Sequence, residues 1–95
     1  MLFRSRVGFG QLVEAQYIAV GQRLFSHDRR CIATVKADSQ LLWGDVAGSI
    51  HKIAALALGQ AAHNGWEYWY VENETGALVS IDALRERFRD ENGLK

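Results

Sequence analysis

Apolar residues fall into short runs whose spacing switches between helical and extended periods. Leu12, Ala15 and Ala19 recur at helical spacing and predict a short helix over residues 11–18, bracketed by Gly8, Gly10 and Gly21. Arg23-Leu24-Phe25 reads as extended, and residues 26–30 as a polar turn. From Cys31 to Lys36 the β-branched Ile32, Thr34 and Val35 predict a strand. Asp38-Ser39 turns the chain, and Leu41-Leu42-Trp43 returns as the hairpin partner. The clearest helix opens at Gly48-Ser49. The Ser49 hydroxyl can accept an unsatisfied backbone N–H of the first turn, and Ile50, Ile53, Ala54, Ala57 and Leu58 form an apolar stripe. Gly59, or Asn64-Gly65, ends this region, because glycine tolerates the left-handed conformation on which helices often finish. Trp66 to Val71 predicts an aromatic strand with Trp66, Tyr68 and Tyr70 on one face and Glu67, Trp69 and Val71 on the other. Glu74-Thr75-Gly76 turns, and Leu78-Val79 extends briefly. Ser80 caps a final helix, with Asp82 where negative charge suits the helix dipole. Ile81, Leu84 and Phe88 are its buried stripe, with Arg85, Arg87 and Arg89 pointing elsewhere. This order predicts an α+β domain, a small antiparallel sheet packed with about three short helices.

Composition narrows the class. The chain has 95 residues, room for one domain, and 48% are hydrophobic, enough for a globular core. One cysteine, Cys31, permits no internal disulfide and fits a reducing compartment. No apolar run approaches the ~20 residues that span a bilayer, so no membrane role is expected. The net charge of zero hides an asymmetry: residues 1–37 hold six basic and two acidic side chains, residues 65–95 four basic and seven acidic. A nucleic-acid binder usually carries a basic footprint, which here falls on the N-terminal half. A solvated mixed-charge surface explains the same counts.

Four clusters then fall into a recognisable order: Val35-Lys36-Ala37-Asp38, Gly48-Ser49-Ile50-His51, Asn64-Gly65-Trp66-Glu67-Tyr68-Trp69 and Ile81-Asp82-Ala83-Leu84-Arg85. Together they resemble the RAMA domain, the C-terminal module of bacterial N6-adenine DNA methyltransferases of the GANTC-methylating kind. The resemblance covers roughly residues 6–90. Ser39 stands where the family tends to have glycine, and His63 where many members have cysteine.

The resemblance implies a DNA-binding accessory domain of a site-specific adenine methyltransferase, with a catalytic domain in cis and homodimerisation through the full-length enzyme. It also implies a bacterial, cytoplasmic, nucleoid-associated setting. The catalytic half is missing from this sequence. Its Asp-Pro-Pro-Tyr type motif needs proline, and the chain has none. Gly8-Phe9-Gly10 lacks the strand and acidic residue of an S-adenosylmethionine or dinucleotide loop. That cofactor is therefore expected in the missing domain, none is expected in this chain, and no methyl transfer is expected from it alone. Leu2-Phe3-Arg4-Ser5 reads like a translated sequencing adapter. The expected division is a non-native or disordered arm at 1–5 and the RAMA-like domain at 6–92, in an incomplete gene. The other reading is a stand-alone module with an ordinary short arm.

The resemblance implies DNA contact by Ser49, Asn64 and Trp66. Physical chemistry adds neighbours. A helix N-terminus presents free N–H groups and partial positive charge, a seat for phosphate. His51 and Lys52 add donors and charge within its first turn, and Arg85 is the cation of the last cluster. Asn64 can read a base edge or bridge a phosphate. Trp66 and Trp69 offer stacking faces to an unpaired base, worth ~1–3 kcal/mol per base, which suits unpaired or distorted DNA. Each has a plainer role as well: Ser49 as a cap, Asn64-Gly65 as a turn, and one tryptophan, Trp69, as core. His51, His63 and Cys31 match no compact zinc spacing, so no metal site is expected. Cys31 reads as core and not as a nucleophile. The competing function is a stand-alone protein-interaction or dimerisation module, built on the aromatic strand and the apolar helix edge.

Overall fold

The computed structural model describes residues 7–93, so the arm expected at residues 1–5 lies outside them. The chain runs through α1 (Phe9–Glu14), β1 (Arg23–Phe25), β2 (Ile32–Val35), β3 (Leu41–Trp43) and β4 (Val46–Gly48). It continues through α2 (Ile50–Leu58), α3 (Gly65–Tyr68), β5 (Tyr70–Glu72), β6 (Leu78–Ser80) and α4 (Ile81–Glu91). The strands make one six-stranded antiparallel sheet in the order β4-β3-β2-β1-β5-β6. The α+β class holds, with the single-turn α3 as a fourth helix.

Register decides which side chains meet the helices. Leu24 pairs with Ala33, Val35 with Leu41, and Val71 with Val79. Leu24, Ala33, Val35, Leu41 and Val71 join Ile50, Ile53, Ala54, Ile81 and Phe88 in one buried core. The opposite face carries Phe25 paired with Ile32, and Thr34 paired with Leu42. There Ile32 is 42% and Leu42 39% exposed, so among the described residues this side of the sheet is open.

Four expectations change. The first helix ends at Glu14, because Gln16 adopts φ 66°. Leu12 O then accepts Tyr17 N at 2.9 Å and Val13 O accepts Gln16 N at 3.1 Å, the paired bonds of a Schellman stop. The reversal buries Ile18 and leaves Ala15 and Ala19 exposed, so only Leu12 of the predicted face is core. In α2 the buried stripe is Ile50, Ile53, Ala54 and Ala55, while Leu58 is 42% exposed. Gly59 is its left-handed stop (φ 70°). Residues 66–68 are helical, not extended, and the strand begins only at Tyr70. Arg85 does not point away: its guanidinium lies over the Trp66 ring, 4.3 Å from the centroid.

The polar turn at 26–30 is built by its own side chains. The Ser26 hydroxyl donates to Asp28 Oδ1 at 2.7 Å, and Asp28 Oδ1 also accepts Arg30 N–H at 3.1 Å. Those two bonds hold the Asp28 carboxyl below its ordinary pKa, the hydroxyl contributing most.

Candidate nucleic-acid interface

Helix α2 starts where β4 ends, and Ser49 leaves the sheet with extended backbone (φ −67°, ψ 166°). Its Oγ accepts Lys52 N–H at 3.0 Å, which satisfies one of the orphan donors of the first turn and leaves the hydroxyl proton free to donate. No acidic residue occupies that turn. Ser49, His51 and Lys52 are all exposed.

The second motif folds back onto this turn. Asn64 caps α3: its Oδ1 accepts Trp66 N–H at 3.0 Å and its Nδ2 donates to Glu67 Oε2 at 2.9 Å. Both ends of the Asn64 carboxamide are therefore engaged within its own turn. Gly65 N–H donates to His51 Nδ1 at 2.9 Å, which places the proton of the neutral imidazole on Nε2. A Cβ on Gly65 would stand 2.5 Å from Ile50 C and O and 2.9 Å from His51 N, all backbone, so glycine alone lets α3 approach α2 this closely. Trp69, fully buried, donates its Nε1–H to Ile50 O at 3.0 Å. Glycine, histidine and tryptophan thus lock the two motifs together. The aromatic residues read as strand formers, but this lock overrides propensity and turns both Trp66 and Trp69 inward at helical spacing.

Trp66 is only 7% exposed. Phe9 meets it edge-on at 6.4 Å, Arg85 covers its ring, and Asp82 pairs with Arg85. The Arg85 Nε is buried with no hydrogen-bond partner among the described residues. Trp66 therefore offers an edge to the surface, not an open stacking face. The neighbouring Tyr68 has its phenol pushed up to about 12, mainly by burial and then by a hydrogen bond with Cys31, so it stays protonated.

Two depressions flank His51. One, of about 250 Å³, is lined by Phe9, Ser39, Gln40, Ser49, His51 and Trp66, among others. The second, of about 280 Å³, lies on the outer side of α2 and includes Lys52, Leu56, Gln60 and His63. Ser49, His51, Lys52, Asn64, Trp66 and Arg85 thus form one connected region: four are exposed, Arg85 is half-buried and Trp66 is nearly covered. Sequence reasoning missed Phe9, Ser39 and Gln40. Nothing local marks them, because they reach the region through the β2–β3 turn and the start of α1. The two segments meet closely there: a Cβ on Gly10 would stand 3.4 Å from Ser39 Oγ. Ser39 itself adopts φ 66°, the conformation that glycine at this position would take without strain.

Of the four cations described in the basic N-terminal half, Arg23, Arg29, Arg30 and Lys36, three are paired with carboxylates. Arg29 pairs with Glu72 at 2.6 Å, Arg30 with Asp28 at 3.6 Å and Lys36 with Asp38 at 3.8 Å. Lys52 and Arg23 have no ion pair among the described residues. Gly8-Phe9-Gly10 opens the six-residue α1, with Gly8 as its N-cap. Among the described residues no group of three or more His, Cys, Asp or Glu is placed to hold a metal, and no helix is long and apolar enough to cross a membrane.

Over 86 residues the chain is 30% identical to the Type II methyltransferase M.HinfI of Haemophilus influenzae, covering 90% of this chain and 24% of that protein. The chain thus spans about a quarter of that relative's length. The family model for RAMA, Restriction Enzyme Adenine Methylase Associated, matches residues 2–94. With the motif pairs Gly-Ser-Ile-His and Asn-Gly-Trp-x-x-Trp interlocked as described, this chain belongs to the RAMA family.

Proposed function

We propose that this chain is the DNA-engaging accessory domain of a site-specific adenine-N6 DNA methyltransferase. Methyl transfer would belong to a catalytic domain in cis, which would bind S-adenosylmethionine, in an enzyme that pairs as a homodimer on bacterial nucleoid DNA. The observation that carries this reading is the exposure of Ser49, His51 and Lys52 together on an α2 start without an acid, beside the Asn64 turn. The first turn of α2 carries backbone N–H groups, a hydroxyl, an imidazole N–H and an ammonium, a donor set that suits phosphate and base acceptors. DNA that is unpaired or distorted, as base flipping leaves it, can reach such a recessed surface more easily than a closed duplex.

A second reading has its own observation: the open sheet face with Ile32 and Leu42 exposed could cover itself against a protein. Salt separates the two. Binding of the chain to mismatched or single-stranded oligonucleotides should weaken steeply as salt rises, because counterions are released from phosphates. Association that is indifferent to salt, with no oligonucleotide binding, would put the interaction module ahead.

A further inference from the structure

We propose that the depression between the start of α1, the Ser39-Gln40 turn and the start of α2 receives one unpaired adenine, with Gln40 reading its edge. This rests on the DNA-engaging reading above and adds a ligand and a specificity residue to it. The depression, about 250 Å³, has an aromatic wall of Phe9 and the edge of Trp66, and a polar rim of Ser39, Gln40, Ser49 and His51.

The rim is rich in donors. The Gln40 side-chain amide makes no hydrogen bond among the described residues, so its N–H₂ and its carbonyl are both available. His51 has its Nδ1 committed to Gly65 and presents Nε2–H. Ser49 has its oxygen committed to Lys52 N–H and presents its proton. One side-chain carbonyl among several donors complements a base with one amino group and several ring acceptors. Guanine and thymine add ring N–H donors that would meet other donors. Adenine and cytosine do not. The larger ring of adenine covers more of the apolar Phe9 and Trp66 edge than cytosine does, and a carboxamide pairs with adenine N6 and N7 in bidentate fashion. A paired base cannot enter a recess, so the target is a base already out of its stack.

The test uses the full 95-residue chain and single-stranded thymidine oligonucleotides whose central position is dA, dC, dG or dT. The oligonucleotide with central dA should bind tightest, by about tenfold over central dG. Gln40→Ala should erase that preference while melting like the parent, since the side chain is exposed and unbonded. Equal binding of all four oligonucleotides by the parent, or an adenine preference that survives Gln40→Ala, overturns the subsite and leaves DNA engagement standing. No binding of any oligonucleotide overturns both.

Discussion

Helices α2 and α4 both begin on a serine whose hydroxyl oxygen accepts the N–H of the third helical residue at 3.0 Å: Ser49 from Lys52 and Ser80 from Ala83. Their surroundings then diverge. At α4 the first N–H, that of Ile81, donates to Trp69 O at 3.1 Å, and Asp82 places a carboxylate in the first turn and pairs with Arg85. The positive end of that dipole is neutralised from within. At α2 there is no acid, and the first turn shows solvent an imidazole and an ammonium instead. Identical caps therefore locate two helix starts without saying which can serve an outside anion. The charge in the first turn makes that distinction.

The largest effect is expected at the residue that joins the two starts. Trp66 lies under Arg85 of α4 and forms part of the depression beside Ser49. Its burial makes it core, so Trp66→Ala should lose about 3–5 kcal/mol of stability, a large share of the ~5–15 kcal/mol that holds a domain together. Chemical denaturation of the variant checks this. A Trp66→Ala protein that melts like the parent yet binds DNA poorly would make the ring a contact instead and weaken the comparison.

The two caps themselves give a sharper contrast at smaller cost. Ser49→Ala and Ser80→Ala should each lose about 1 kcal/mol, the usual value of a serine cap. Only Ser49→Ala should also weaken oligonucleotide binding when both variants are assayed well below their melting temperatures. Equal losses of affinity would mean that binding merely follows stability, and the electrostatic difference between the starts would carry no function.

Much of this arrangement is legible in the sequence alone. Both serine caps and the hairpin of β2 and β3 follow from local chemistry and hold in the structure; of the stops the sequence offers, Gly59 or Asn64-Gly65, the helix takes Gly59, and Trp69 is core but Trp66 is buried with it. The failures share one cause, contact between residues distant in sequence. Residues 66–68 form a helical turn because Gly65 and Trp69 are bound to the backbone and side chain of residues 50 and 51. Arg85 folds onto Trp66 for the same reason. β4 escapes notice because Val46-Ala47-Gly48 is too short to show alternation, and only pairing with Leu41 to Trp43 makes it a strand. At the site, the exposed donors of α2 are readable from the motif, whereas Gln40 is not, since a hairpin turn says nothing of the helix it will face.

The smallest effect is also the most specific. Lys52 is exposed and free of ion pairs among the described residues, on the first turn of α2. Arg23 is equally free, but its register with Thr34 puts it on the open face of the sheet. Neither side chain is buried, so either alanine substitution should change stability by less than about 0.5 kcal/mol. If Lys52 neutralises one phosphate, Lys52→Ala should flatten the plot of log affinity against log salt by ~0.7 on single strands or ~0.9 on duplex. Arg23→Ala should leave that slope as it is. Because Arg29, Arg30 and Lys36 are already paired with carboxylates, they should add little to the parent slope, and the loss of Lys52 should be plain within it. A slope that responds to Arg23 and not to Lys52 would move the DNA to the sheet and leave the bare start of α2 without an anion to hold.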